Sequence, residues 1–128
     1  MSDNSPNSLG IIILVDDDPA VRSSIQFAFE LEGYTVRAFP DPAAVLANLD
    51  FPERSCLVLD YNLPGMNGLD LLEQMRAHGV NLPALLITTH PLHAMRERAE
   101  ASGVVIVEKP FLGNELSQSV KDLLSAIR

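Results

Sequence analysis

The sequence predicts an α/β fold in which a doubly wound, five-stranded parallel sheet carries helices on both faces. Short apolar runs alternate five times with segments of helical periodicity, which is the pattern of right-handed βαβ units. Most of these runs are apolar at successive positions, as expected of strands that are covered on both faces. With 128 residues, 47% of them hydrophobic, the chain can form one domain with a full core.

The first strand and helix are the most clearly marked. We expect residues 1–10, which are polar, to form a disordered lead-in to a single domain at 11–128. The run IIILV at 11–15 is the first strand. Asp18 followed by Pro19 indicates a helix start, because a capping acceptor precedes proline at the first helical position. Gly33 is typical of a helix end.

The same pattern predicts four more strands, each followed by a helix. The predicted elements are a strand at 34–39 with a helix at 42–49, a strand at 56–60 with a helix from residue 69 that ends at Gly79, a strand at 84–88 with a helix at 91–102, and a strand at 104–107 with a closing helix whose apolar face is Leu116, Val120, Leu123, Leu124 and Ile127.

Charge and composition exclude several classes of function. Seventeen acidic residues against nine basic ones give a net charge of −8, which argues against nucleic acid or an anionic membrane as a direct ligand of this domain. The chain has no apolar run of membrane-spanning length and no signal-peptide pattern. The lone Cys56 excludes an intramolecular disulfide. These features favour a cytoplasmic protein.

Polar residues follow the predicted strands where ligands of open α/β sheets bind, at the carboxyl ends of the strands. Taken singly, each of them could be a solvated strand end, a helix cap or a core residue. Clustered carboxylates repel one another and tend to recruit a cation, and a few hard oxygen ligands favour Mg²⁺, or Mn²⁺. The residues that converge there are Asp16 and Asp17 after the first strand, Asp60 at the end of the third, Thr88 and Thr89 at the end of the fourth, and Lys109 and Pro110 after the fifth.

Four motifs, in order, carry a family resemblance. They are VDDDP at 15–19, LVLDYNLPGMNG at 57–68, ITT at 87–89 and EKPF at 108–111. With them the chain resembles the receiver domains of two-component response regulators, which include the bacterial chemotaxis receiver. The resemblance covers residues 11–127 and implies a (βα)5 fold with the flavodoxin-like strand order 2-1-3-4-5. It also implies a signalling phosphoacceptor in a phosphorelay, and not a conventional enzyme.

The resemblance assigns a role to each residue of the cluster. It implies phosphorylation by a histidine kinase or a phosphotransfer protein, followed by a switch at a face that binds a downstream protein, an output domain or a second copy of the chain. The implied roles are Asp60 as phosphoacceptor, Asp17, Asp60 and the backbone carbonyl of Asn62 as Mg²⁺ ligands with Asp16 acting through a coordinated water, Thr88 and Lys109 as partners of the phosphoryl group, and a cis bond before Pro110.

One position departs from the family pattern. Receivers usually carry Tyr or Phe three residues before the lysine as an aromatic switch, whereas this chain has Ile106. Whether this chain signals through the usual pairing of threonine and aromatic residue is therefore an open question. Thr89 and His90 follow Thr88, and the family uses the position of His90 to tune the lifetime of the phosphoryl group. An ordinary surface histidine is the alternative.

Other functions explain the motifs less well. A docking module on the same fold that is never phosphorylated is favoured by Ile106 and opposed by the complete acidic cluster. A phosphatase with an aspartate nucleophile would need a general acid where Asn62 stands. A calcium-binding EF-hand loop over 60–71 would need Glu in place of Leu71.

Overall fold

The computed structural model describes residues 8–109 and 114–127. Five strands alternate with five helices over this part of the chain. The elements are β1 (Ile11–Val15), α1 (Pro19–Glu32), β2 (Thr35–Phe39), α2 (Pro42–Leu46), β3 (Ser55–Asp60), α3 (Gly68–Ala77), β4 (Ala84–Thr88), α4 (His93–Ala101), β5 (Val105–Glu108) and α5 (Glu115–Ser125).

All five strands are parallel and lie in the order β2-β1-β3-β4-β5, so the predicted fold class and strand order are confirmed. The predicted first and fourth strands match β1 and β4 residue for residue. Other boundaries shift by a few residues. Helix α2 ends at Leu46 and α4 covers only His93–Ala101. The second strand begins one residue later than predicted, the third begins one residue earlier, and the last is shifted by one residue to Val105–Glu108.

The core lies in two layers, one on each face of the sheet. On one face, α2, α3 and α4 bury a cluster that includes Leu57, Leu86 and Met75. On the other face, α1 and α5 bury a cluster that includes Phe29 and Val120. The three inner strands are buried along their whole length, as expected of strands with helices on both sides.

Strand β5 lies at the edge of the sheet and is less buried than its apolar sequence predicts. Val105 is 41% exposed, Ile106 is partly buried and Val107 is buried. An apolar run in the sequence does not distinguish an edge strand from an inner one, because the neighbouring element decides how much is covered.

The first helix begins as the sequence predicts. The Asp18 side chain accepts hydrogen bonds from the backbone N–H groups of Ala20 and Val21, and Gly33 ends the helix in the left-handed conformation. Of the predicted lead-in, residues 1–7 lie outside the described part. Residues 8–10 are joined to the fold, since the Leu9 N–H donates to the Gly33 carbonyl.

Within the described residues, none of the helices has the length and apolar character that crossing a membrane requires.

Candidate phosphoacceptor site

Two aspartates are buried side by side at the carboxyl end of the sheet. Strands β1 and β3 are neighbours with Val15 paired to Leu59, so the next residue of each strand, Asp16 and Asp60, reaches the same edge. Asp16 is 0% exposed and Asp60 is 4% exposed. Because a buried carboxylate is costly unless it is paired, this arrangement indicates a site and not a solvated strand end.

Asp16 is held by its own loop and by α1. Its Oδ1 atom accepts the N–H of Asp18 at 3.0 Å, and its backbone carbonyl accepts a hydrogen bond from the Arg22 guanidinium at 2.8 Å. Its Oδ2 atom is buried and has no hydrogen-bond partner among the described residues. A buried carboxylate oxygen without a hydrogen-bond partner, next to other carboxylates, can serve as a ligand for a cation.

Asp60 is anchored on one oxygen and leaves the other toward the cluster. Its Oδ1 atom accepts the N–H of Asn62 at 3.2 Å, while its Oδ2 atom lies 3.6 Å from the Nζ atom of Lys109. The pKa of the Asp60 carboxyl is raised from 3.8 to about 6, mainly by burial and next by the charge of Asp16, with a smaller contribution from Asp17. The Lys109 ammonium and the Asn62 N–H oppose the rise in this pKa.

Lys109 bridges the two buried aspartates. Its ammonium lies 3.6 Å from Oδ2 of Asp16 and 3.6 Å from Oδ2 of Asp60, and its side chain is 19% exposed. Its backbone N–H donates to the carbonyl of Thr88, which fixes it at the end of β4. The predicted cis bond before Pro110 lies outside the described residues.

The third aspartate completes a cation-binding group. Asp17 is exposed, and one ligand atom each from Asp16, Asp17 and Asp60 lie within 4.8 Å of one another. Three carboxylates and the Lys109 ammonium leave a formal charge of −2 in this pocket. Such a set of hard oxygen donors, open on the Asp17 side, suits Mg²⁺, which keeps several of its own waters.

The structure places the other predicted site residues around this cluster. Thr88 ends β4 and is 2% exposed, whereas Thr89 and His90, which follow it, are exposed. Asn62 is exposed, and its N–H is bound to Asp60. Ile106 packs against the core layer on the α3 and α4 side.

Two residues that shape the site were not predicted from the sequence. One is Arg22, whose spacing six residues after Asp16 is a weak signal, because many surface arginines stand at such distances from an acid. The other is Gly68, the first residue of α3. A Cβ atom there would lie 2.5 Å from the backbone oxygen of Asp60, so α3 begins in direct contact with the backbone of Asp60.

Comparison with known proteins agrees with this geometry. A family model for the response regulator receiver domain matches residues 12–121. The transcriptional regulatory protein FixJ of Bradyrhizobium diazoefficiens is 35% identical over 120 residues, which are 93% of this chain and 57% of that protein. The chain spans between 24% and 57% of the lengths of the first curated relatives it matches.

Solved structures share the fold over nearly the whole chain. A CheY-like response regulator receiver domain protein from Methanospirillum hungatei superimposes with a TM-score of 0.82 at 26% identity, covering 92% of this chain and 95% of that one. The response regulator TrrA of Thermotoga maritima, solved in complex with Mg²⁺ and BeF, gives a TM-score of 0.75 at 24% identity, covering 90% of this chain and 99% of that one. At that identity the second comparison supports the fold alone.

Proposed function

Since this chain belongs to the family of response regulator receiver domains, we propose that Asp60 is the residue that accepts the phosphoryl group. Receiver domains of this family are signalling phosphoacceptors and not conventional enzymes. The observation that carries the assignment is the position of Asp60. It ends the central strand β3, and its Oδ2 atom faces the acidic cluster and the Lys109 ammonium. We also propose that residues 11–128 form this one domain.

The transfer itself asks little covalent chemistry of the protein. An Oδ atom of Asp60 attacks the phosphorus of a phosphohistidine, an O–P bond forms, the N–P bond breaks, and the imidazole leaves and takes up a proton. Catalysis of such a step depends on positioning and on neutralising the charge that develops on the phosphoryl oxygens. Lys109, held near both buried aspartates, supplies a cation within reach of Asp60.

Receiver domains bind Mg²⁺ at an acidic site, and the residues present here fit such an ion. The buried Oδ2 atom of Asp16 supports this, because among the described residues it has no hydrogen-bond partner and only the Lys109 ammonium, 3.6 Å away, offsets its charge. We assign Asp17, Asp60 and the backbone carbonyl of Asn62 as direct ligands and Asp16 as a ligand through water. Mn²⁺ offers the same ligand preference. The bound ion supplies positive charge for the phosphoryl oxygens.

The remaining site residues respond to the phosphoryl group on Asp60 or control how long it persists. Thr88 ends β4 beside the cluster and supplies a hydroxyl for the phosphoryl group. The exposed Thr89 and His90 tune the lifetime of the phosphoryl group by limiting the access of water. Ile106 occupies the usual aromatic position and, with its partly buried side chain, alters the coupling between Thr88 and the face formed by α4, β5 and α5.

Receiver domains act between histidine kinases and output domains. For this chain we propose that a histidine kinase or a phosphotransfer protein in the cytoplasm supplies the phosphoryl group. The signal then passes to a downstream protein, to an output domain or to a phosphorylation-dependent homodimer. The acidic domain itself contacts neither nucleic acid nor membrane.

The experiment that tests this proposal is labelling with acetyl phosphate and Mg²⁺. We expect an acid-stable, base-labile adduct that adds about 80 Da, as one phosphoryl group does, to the wild type. Asp60→Asn removes the nucleophile and abolishes the adduct, whereas Asp122→Asn, an exposed aspartate of α5, leaves it intact. A wild type without label, or an Asp60→Asn variant labelled equally well, contradicts the proposal. The first outcome favours the docking module that Ile106 made conceivable.

A further inference from the structure

A charged contact joins α4 to the beginning of α3. The Nη2 atom of Arg98 lies 2.9 Å from Oδ1 of Asp70 and 3.2 Å from Oε2 of Glu73. Arg98 is in the last turn of α4, and Asp70 is in the first turn of α3. A guanidinium shared between two carboxylates fixes the relative position of the two helices better than a single ion pair does.

Asp70 also closes the loop that follows the phosphoacceptor. Its Oδ2 atom accepts the N–H of Asn67 at 3.4 Å, and its own N–H donates to Oδ1 of Asn67 at 2.8 Å, which is a reciprocal capping box. The Nδ2 atom of Asn67 donates to the hydroxyl of Tyr61 at 3.4 Å. One carboxylate therefore binds Arg98 through one oxygen and the loop through the other.

The beginning of α3 is in turn packed on Asp60. The Gly68 N–H donates to the carbonyl of Tyr61 at 2.9 Å, and a Cβ atom at Gly68 would lie 2.5 Å from the backbone oxygen of Asp60. A displacement of the Asp60 backbone is therefore transmitted to α3, because close-packed atoms leave no gap to absorb it.

Few buried contacts attach α4 to the rest of the fold. It buries only two residues, Met95 and Ala99, and its N-cap residue Leu92 makes no side-chain capping bond. Its C-terminal end is also bound to α3, since Arg76 donates to the carbonyl of Ser102. A helix with so few buried contacts opens at low free energy, so the polar contacts at its C-terminal end contribute to holding it in place.

We propose that Arg98 is a positioning residue that couples α4 to the phosphoacceptor through Asp70 and the first turn of α3. The proposal rests on the proposed role of Asp60 for its signalling meaning and on the contacts above for its physical content. A change of charge at Asp60 shifts the loop and the start of α3, and the shared carboxylate of Asp70 carries that shift to α4. Since Arg98 and Asp70 are both partly exposed, the tie biases the population of α4 positions without being needed for folding.

The test compares Arg98→Met with Arg96→Met by amide hydrogen exchange and by amide chemical shifts, each with and without acetyl phosphate and Mg²⁺. Arg96 is the matched control, because it lies on the same helix but pairs with Glu108 of β5 at 3.5 Å. Without acetyl phosphate, we expect Arg98→Met to speed exchange at residues 96–102 about two- to fivefold, in keeping with an exposed ion-pair network. It also shifts the Asn67 and Gly68 amides, and Arg98→Lys restores part of both effects.

With acetyl phosphate, we expect phosphorylation to alter exchange in α4 of the wild type and of Arg96→Met. In Arg98→Met we expect this response to be at most about half as large as in the wild type, while the extent of labelling at Asp60 is unchanged. Unaltered exchange and shifts in Arg98→Met, or equal shifts of the Asn67 and Gly68 amides in Arg96→Met, overturn the proposal. A wild type that takes no label contradicts the role of Asp60 instead, and the measurements without acetyl phosphate still decide whether Arg98 holds α4 to the loop.

Discussion

The Nζ atom of Lys109 lies 3.6 Å from the Oδ2 atom of Asp60 and at the same distance from that of Asp16. These distances exceed those of a strong charge-assisted hydrogen bond, which is about 2.8 Å. Lys109 therefore offsets the charge of the two buried carboxylates without a close hydrogen bond to either Oδ2 atom. An incoming phosphoryl group is attracted to the Lys109 ammonium, and a cation is attracted to the two carboxylates.

Removing the Lys109 ammonium tests its effect on the pKa of Asp60 and its effect on the rate of phosphorylation. Lys109→Met keeps the length of the side chain, and we expect the pKa of Asp60 to rise above that of the wild type, because Lys109 lowers it. We also expect labelling by acetyl phosphate to slow by roughly a hundredfold, the usual effect of losing one preorganised charge donor. Carboxyl ¹³C NMR over a pH titration without divalent cations measures the pKa, and mass spectrometry measures the labelling.

The chain provides a matched control for this variant. Lys121 is its other lysine and is exposed on α5. Lys121→Met removes the same charge from the protein, so an effect of net charge alone appears in both variants. Equal changes in the two would show that Lys109 acts through the overall charge and not through its contact with Asp60.

Burial of Asp60 lowers the stability of the fold near neutral pH. Its pKa is about 6 in the folded state against 3.8 ordinarily. Between these values the folded state keeps a proton that the unfolded state has lost, so stability falls as the pH rises through this range. Because one pKa unit corresponds to about 1.4 kcal/mol, we expect Asp60→Asn to raise the free energy of unfolding near pH 7 by about 1–3 kcal/mol without divalent cations.

Urea unfolding followed by circular dichroism measures this gain at several pH values. The gain disappears as the pH falls below about 4, where both states hold the proton. Asp17→Asn is the control: Asp17 is exposed and contributes the smallest rise to the pKa of Asp60, so we expect a smaller gain. A gain for Asp60→Asn that does not vary with pH would point to packing and not to the charge.

Much of this site could be predicted from the sequence because strand ends are visible there. The buried run 11–15 is followed by a polar residue and the run 84–88 ends at one, and parallel strands bring those ends to one edge of the sheet. The contact of Arg98 with Asp70 could not be predicted, because it joins residues 28 positions apart on two helix surfaces. Such contacts depend on helix rotation and spacing, which the pattern of apolar residues fixes only coarsely.

Binding of a divalent cation should offset the repulsion within the cluster. Three carboxylates with ligand atoms within 4.8 Å gain most from a divalent ion in the folded state, where they are held together. At ten times its Kd, Mg²⁺ stabilises the fold by about 1.4 kcal/mol through linkage alone. We expect a corresponding rise in Tm for the wild type and a smaller one for Asp60→Asn and Asp17→Asn. An equal rise in all three would mean that the ion binds elsewhere, and Asp122→Asn provides the reference response.

The contact between Gly68 and Asp60 can be tested by adding one methyl group. Gly68→Ala places a Cβ atom 2.5 Å from the Asp60 backbone oxygen and 2.8 Å from the Leu86 Cδ1 atom. Although alanine favours helices over glycine by about 1 kcal/mol, overpacking costs about 1–3 kcal/mol, so we expect lower stability. We also expect slower labelling by acetyl phosphate, because the clash moves the residue that carries the nucleophile. Gly79→Ala, at φ +89° in open space, costs about 1–2 kcal/mol through backbone strain at the far end of α3. It should leave labelling unchanged, and comparable slowing in both variants would trace the effect to general destabilisation and not to the position of Asp60.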